Sequence, residues 1–273
     1  MPVGICPMCL QSKELRDSHL MSRALYTLCH PPGYAPVSFS EKSIFPTTKQ
    51  TSEYLLCGDC EQLLGKEGET WVLPRLARAN GEFKLYDSLV KRPPELQTPE
   101  ITVYGTTANP EIKRENLIHF GLGYFWKASV HRWGREHTES LIELGAGSED
   151  LRKCLLRKGN FPKNMALVVF VLPKPVSLIG FTEPIRSVNT NCARYHFYVP
   201  GMFFNLCVGD DVQEQYKHLC LVREPVGPVI LEDVSEDIRD AAKFVTQNAY
   251  RSKKLISSQA EIAQKIKDGT LKL

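Results

Sequence analysis

The stretch CPMCLQSKELRDSHLMSRAL, residues 6–25, sets Cys6 and Cys9 ten residues ahead of a lone histidine, His19. The same spacing returns at Cys57 and Cys60 in YLLCGDCEQLL, residues 54–64. Each Cys-x2-Cys knuckle bends the backbone so that two thiolates face one ion, and two knuckles supply the tetrahedral sulfur set that zinc prefers. The 47 residues between Cys9 and Cys57 exceed the loop of an ordinary zinc finger. Closing the longer loop costs about 1 kcal/mol more. Structural zinc contributes about 10–16 kcal/mol, so the loop is no obstacle. A redox CxxC accounts for one pair but not for a second. Cys6, Cys9, Cys57 and Cys60 are expected to hold structural Zn2+.

The rest of the composition sets the frame around this clip. A length of 273 residues suits one large domain or two smaller ones. Hydrophobic residues make up 42%, enough for a real core. No apolar run approaches a membrane span, and the N-terminus has no basic region followed by an apolar stretch. The expectation is a cytoplasmic protein with no membrane partner. Nine cysteines in such a chain, four of them at ligand spacing, point to metal rather than to disulfides. The net charge of +3 permits a nucleic-acid partner without demanding one.

Proline-rich breaks and periodicity predict an α+β protein: a zinc module over residues 1–78, then a mixed helical and β-rich domain over residues 79–273. A helix is expected from the second knuckle toward Trp71, with Gly65 and Gly68 weakening its later turns. Residues 91–99, with three prolines, read as a linker or surface loop. Apolar residues at three- and four-residue spacings predict a helix over 110–133, and another follows Ser148. Residues 166–172, 194–199 and 202–208 read as strands, the last two joined at Pro200-Gly201. Residues 218–223 suggest a further strand. Helices are expected over 235–244 and 259–267.

The residues CPMC…DSHLMSRAL…YLLCGDCEQLL resemble the zinc-containing branch of the HNH nucleases, the ββα-metal or treble-clef endonucleases. The resemblance covers about the first 70 residues. It implies a treble-clef module whose zinc is purely structural. It also implies metal-dependent hydrolysis of nucleic-acid phosphodiester bonds, DNA favoured, with His19 as the general base that activates water. Glu61 takes the place of the helix-borne Asn or His and is expected to ligate a catalytic Mg2+ or Mn2+. Ser18 stands where the pattern has an acid, and Asp17 is one position away. The family's middle asparagine has no match near Tyr54. Small nucleases of this style resemble those of bacterial restriction and anti-phage defence.

Several other residues invite a role and have a plainer reading. Glu67 and Glu69 read as a solvated helix face, with Glu67 a spare ligand. Cys29-His30 reads as a loop. His119 and His131, about 18 Å apart along a helix, are too far apart for one ion and read as surface or interface residues. Cys154, Cys192, Cys207 and Cys220 read as small apolar groups. Residues 1–78 carry eight Lys or Arg and eight Asp or Glu, so the module alone should grip a phosphate backbone weakly. The best phosphate contacts are Arg152, Lys153, Arg157, Lys158 and Lys163 in LRKCLLRKGNFPK, residues 151–163. Weak charge points to a protein partner or a homo-oligomer in target contact. The alternative to the nuclease is a non-catalytic treble-clef module serving as a nucleic-acid or protein adaptor.

Overall fold

The computed structural model describes residues 1–273 except 31–36, 40–42, 47, 108, 134–141, 177, 188–191, 211, 247–249, 252, 254–256, 258–259, 262–263, 265–267 and 269–273. Internal contacts divide the chain into two units. One is Met1–Leu25 with Thr51–Val234, and the other is Tyr26–Gln50 with Ser235–Leu273.

The elements run β1 (Val3–Ile5), β2 (Ser12–His19), α1 (Arg23–Leu28), β3 (Val37–Phe39), β4 (Ser43–Pro46), β5 (Ser52–Cys57) and α2 (Gly58–Leu64). A π-turn over Gly65–Glu69 leads into α3 (Thr70–Val72) and a 3-10 turn, Leu73–Arg75. Then come α4 (Lys84–Leu89), β6 (Leu96–Gln97), β7 (Thr102–Gly105), α5 (Arg114–Val130), α6 (Gly147–Leu155) and β8 (Met165–Val171). The chain continues through β9 (Ile185–Arg186), β10 (Ala193–Val199), β11 (Met202–Val208), α7 (Glu214–His218), β12 (Pro228–Leu231), α8 (Ser235–Thr246) and β13 (Tyr250–Arg251). The protein is mixed α and β, with a four-cysteine cluster near its N-terminus.

The first unit holds two sheets. β1, β2 and β5 form an antiparallel sheet in that order, with Val3 opposite Glu14 and Leu15 opposite Cys57. The larger sheet has the order β6-β7-β12-β8-β11-β10-β9, antiparallel except where β12 runs parallel to β8. β8 reads MALVVFV because both of its faces are covered. Leu167 and Phe204 meet α5 at Gly121, while Ala166 joins Cys207, Val212 and Cys220. The β10–β11 hairpin closes at Pro200-Gly201 as expected, with Gly201 at φ +81°, which a side chain resists.

Helix α5 is the spine of this unit. Every residue from Leu117 to Ala128 is buried, which an all-round apolar helix requires. On one side it touches the sheet through Gly121. On the other it meets the π-turn, where a Cβ on Gly68 would lie 2.9 Å from the Phe120 backbone nitrogen. Phe120, Tyr124, Phe125, Phe197 and Phe204 interlock between them, with ring centroids 4.8–6.4 Å apart. In the second unit β13, β4 and β3 form a three-stranded sheet, and α8 supplies the helix expected from Ser235.

Four readings change. The long helix starts at Arg114, four residues later than expected, and ends at Val130. His119 is buried, not at the surface, and its Nε2 meets the Leu155 carbonyl at 3.1 Å. Residues 218–223 are the end of α7 and a turn rather than a strand. The expected loop at 91–99 contains the edge strand β6, paired with β7. Most of the helix expected over 259–267 lies outside the described residues. Among the described residues no helix is long and apolar enough to cross a membrane.

Candidate metal centre and the acidic cluster beside it

The first knuckle is the turn between β1 and β2. Cys6 N–H donates to the Gln11 carbonyl at 3.0 Å, and Leu10 N–H to the Cys6 carbonyl at 2.8 Å. Leu10 sits at φ +61°, the left-handed residue that closes the turn. The second knuckle is the junction of β5 and α2. Cys57 ends the strand, and Cys60 lies in the first helical turn. Pairing of β2 with β5 brings the two knuckles together across the 47-residue loop.

The four Sγ atoms lie within 4.8 Å of one another, and Cys9 Sγ is 3.8 Å from Cys57 Sγ. A tetrahedron with Zn–S bonds of about 2.3 Å has edges of about 3.8 Å, so the set fits zinc. Cys6, Cys57 and Cys60 are buried. Burial pushes the Cys6 thiol up, but the backbone N–H groups of Cys57, Cys9 and Met8 outweigh it and leave Cys6 below its ordinary value. Burial, together with the neighbouring sulfurs, pushes Cys60 well up. Four sulfurs this close need a cation to become thiolates together.

Arg152 closes the outside of the knuckle. Its Nη1 donates to the Met8 carbonyl at 2.6 Å, while Nε and Nη2 grip the Glu149 carboxylate at 2.6 and 2.7 Å. Of the five expected phosphate contacts, Arg152 is thus tied to protein, Lys153 lies 3.6 Å from Glu149, and Arg157 pairs with Glu67. Lys158 and Lys163 are exposed and form no ion pair among the described residues.

The residues expected to do chemistry flank the clip. His19 ends β2, half-buried, and Ser18 is buried on the opposite side of the strand, where its Oγ accepts the Leu56 N–H at 3.0 Å. Asp17 is exposed and, by strand alternation, shares the His19 face. Glu61 follows Cys60 in α2, with Oε1 buried and, among the described residues, without a hydrogen-bond partner. The four-cysteine set is the one group of three or more His, Cys, Asp or Glu side chains among the described residues that is arranged to hold an ion.

Two residues that the sequence reading passed over, Lys127 and Tyr124, complete the cluster together with Glu69. Lys127, in the middle of α5, is fully buried, and its Nζ donates to the His19 carbonyl at 2.8 Å. Burial lowers its pKa, while the Glu69 and Glu61 carboxylates push the other way. Tyr124, one turn earlier, donates to Glu69 Oε1 at 3.1 Å and accepts the Ser22 N–H at 3.2 Å. Glu69 is therefore no solvated residue. A void of about 10 Å³ lies among Leu64, Glu69, His119, Phe120, Gly123, Tyr124 and Lys127, room for one water. The available signal was a lone lysine inside FGLGYFWKASV, an otherwise apolar helix. No family model, curated protein or solved structure matches this chain.

Proposed function

We propose that this chain is a zinc-stabilised endonuclease of the HNH kind, hydrolysing nucleic-acid phosphodiester bonds, with DNA as the first substrate to test. The observation that carries the reading is the buried, unpartnered Oε1 of Glu61, immediately after a zinc ligand. An orphaned carboxylate oxygen costs stability and is retained where a cation or substrate meets it. The treble-clef assignment rests on the order of parts: a knuckle in the β1–β2 turn, then a strand whose end and following helix carry the second knuckle.

In this reading His19 takes the proton from the attacking water. Glu61 would hold Mg2+ or Mn2+: its oxygen is the donor type these ions take, and Mg2+ usually needs only one or two carboxylates beside water and phosphate. Asp17 is the nearest second acid along the chain. Such an ion supplies Lewis-acid charge at the phosphoryl oxygens. A structural zinc would do no chemistry and would fix the strand that ends at His19 against α2, the helix that carries Glu61.

The test is cleavage of a supercoiled plasmid by the zinc-loaded full chain with Mg2+, with Mn2+ and with EDTA, beside His19→Ala and Glu61→Ala. Metal-dependent nicking is expected, reduced by ~10²–10⁴-fold in His19→Ala. Cleavage that survives both substitutions sinks the site. The second reading, a non-catalytic adaptor, is favoured by Ser18, which takes the acid's place yet is spent on the Leu56 N–H. It gains if the folded wild type binds DNA and never cuts it.

A further inference from the structure

The fold holds the candidate site twice. The four-cysteine cluster joins the β1–β2 turn to the start of α2. The second tie comes from α5, and it is made of polar side chains in a helix whose other buried residues, His119 apart, are apolar or glycine. Lys127 and Tyr124 are three residues apart and so share one face of the helix. Lys127 Nζ holds the His19 carbonyl, at the point where the chain leaves β2. Tyr124 holds both the Ser22 N–H, three residues further on, and the Glu69 carboxylate, two turns beyond Glu61. Lys127 also lies close enough to Glu61 and Glu69 to feel both charges, yet makes no ion-pair contact with either among the described residues.

Packing alone does not account for this lysine. A buried ammonium bonded to one carbonyl is costly, and an apolar side chain of similar volume serves a core better. A methionine there would fill the space but remove the Lys127 bond to the His19 carbonyl and the positive charge near two acids. What the lysine adds is a direct tie between the end of β2 and the core helix α5, on which the π-turn that ends in Glu69 is seated. A general base and a carboxylate acting across a phosphodiester need the main chain that carries them held in place.

We propose that Lys127 is a positioning residue of the His19–Glu61 site: it pins the main chain at His19 to the core helix α5. The inference rests on the nuclease reading above. It is separable from it, because the two fail in different experiments. Lys127 is buried and touches no substrate, so it is not a catalytic residue.

The experiment is steady-state cleavage of a labelled duplex by the full-length, zinc-loaded protein and by Lys127→Met, Lys127→Arg and Tyr124→Phe. Zinc content and melting temperature are measured on each. Loosening the site by about 1 Å lowers kcat by ~10²-fold, so that loss is expected in Lys127→Met with KM and zinc content unchanged. Lys127→Arg, which keeps a donor for the carbonyl, should recover part of it. If Lys127→Met does not fold, Tyr124→Phe carries the test: it removes one hydroxyl, keeps the ring, and should lower kcat with KM unchanged. Wild-type kcat in the folded Lys127→Met protein overturns the proposal. So does a loss that tracks zinc content or melting temperature alone, or an unchanged kcat in Tyr124→Phe where that variant carries the test. A wild type that never cleaves overturns the nuclease reading instead.

Discussion

Ser18 shows how a resemblance in sequence can part from the role it suggests. It stands in the acid's place beside His19, yet strand alternation turns it inward, where it is buried and its Oγ accepts the Leu56 N–H at 3.0 Å. That bond fastens β2 to β5 just before Cys57. An aspartate at this position would put a carboxylate in a buried place with the Leu56 N–H to meet it. Ser18→Asp should therefore destabilise the protein by more than about 2 kcal/mol in urea unfolding, without adding a divalent ion. Equal stability together with a new Mn2+-binding event would show that the strand can present an acid here, and that the serine is a functional choice. The cysteines and His19 were readable because ligand spacing is local in sequence. Lys127 was not, since its meaning lies in burial against residues more than 50 positions away, and no local pattern marks a buried lysine as a tie.

The helical run from Gly58 to Arg75 shows where periodicity stops informing. Its existence follows from the sequence, but Gly65 and Gly68 look alike there, two weak points in one helix. The structure separates them. Around Gly65 nothing lies within 4 Å of an added Cβ, and φ is −60°, ordinary helix. At Gly68 the added Cβ would lie 2.9 Å from the nitrogen and 3.0 Å from the Cα of Phe120, backbone atoms that cannot swing aside. Gly65→Ala should stabilise by about 0.4–1 kcal/mol. Gly68→Ala should cost about 1–3 kcal/mol, because α5 must move away from the π-turn. Equal effects at the two sites in thermal or urea unfolding would mean that α5 is not seated on that turn. Residues 218–223 were misread for a related reason. Leu221 N–H donates to the Leu167 carbonyl at 2.7 Å, serving the flank of β8 that β12 leaves open, so a turn carries strand-like apolar residues.

At the level of the whole chain, charge is what the sequence displays most openly and what folding changes most. LRKCLLRKGNFPK offers five bases and no acid in line, which reads as a phosphate grip. Folding brings Glu149 and Glu67 to three of them and ties Arg152 to the Met8 carbonyl of the first cysteine knuckle. Arg152 thereby becomes part of what holds α6 against the four-cysteine cluster. Lys158 and Lys163 are left to meet a phosphate backbone from this segment. Each neutralised phosphate contributes about −0.9 to the slope of log K against log salt on duplex DNA, so two contacts give a slope near −2. Fluorescence anisotropy of a labelled duplex over a salt series should return a shallow slope of that size, flattened in Lys158→Glu/Lys163→Glu. Arg152→Gln should leave the slope in place and instead speed loss of metal to a chelator, because the Met8 carbonyl loses its partner. A slope of about −6 for the wild type would mean that the ion pairs around α6 open on DNA, and that the five-residue grip read from the sequence is restored in the complex.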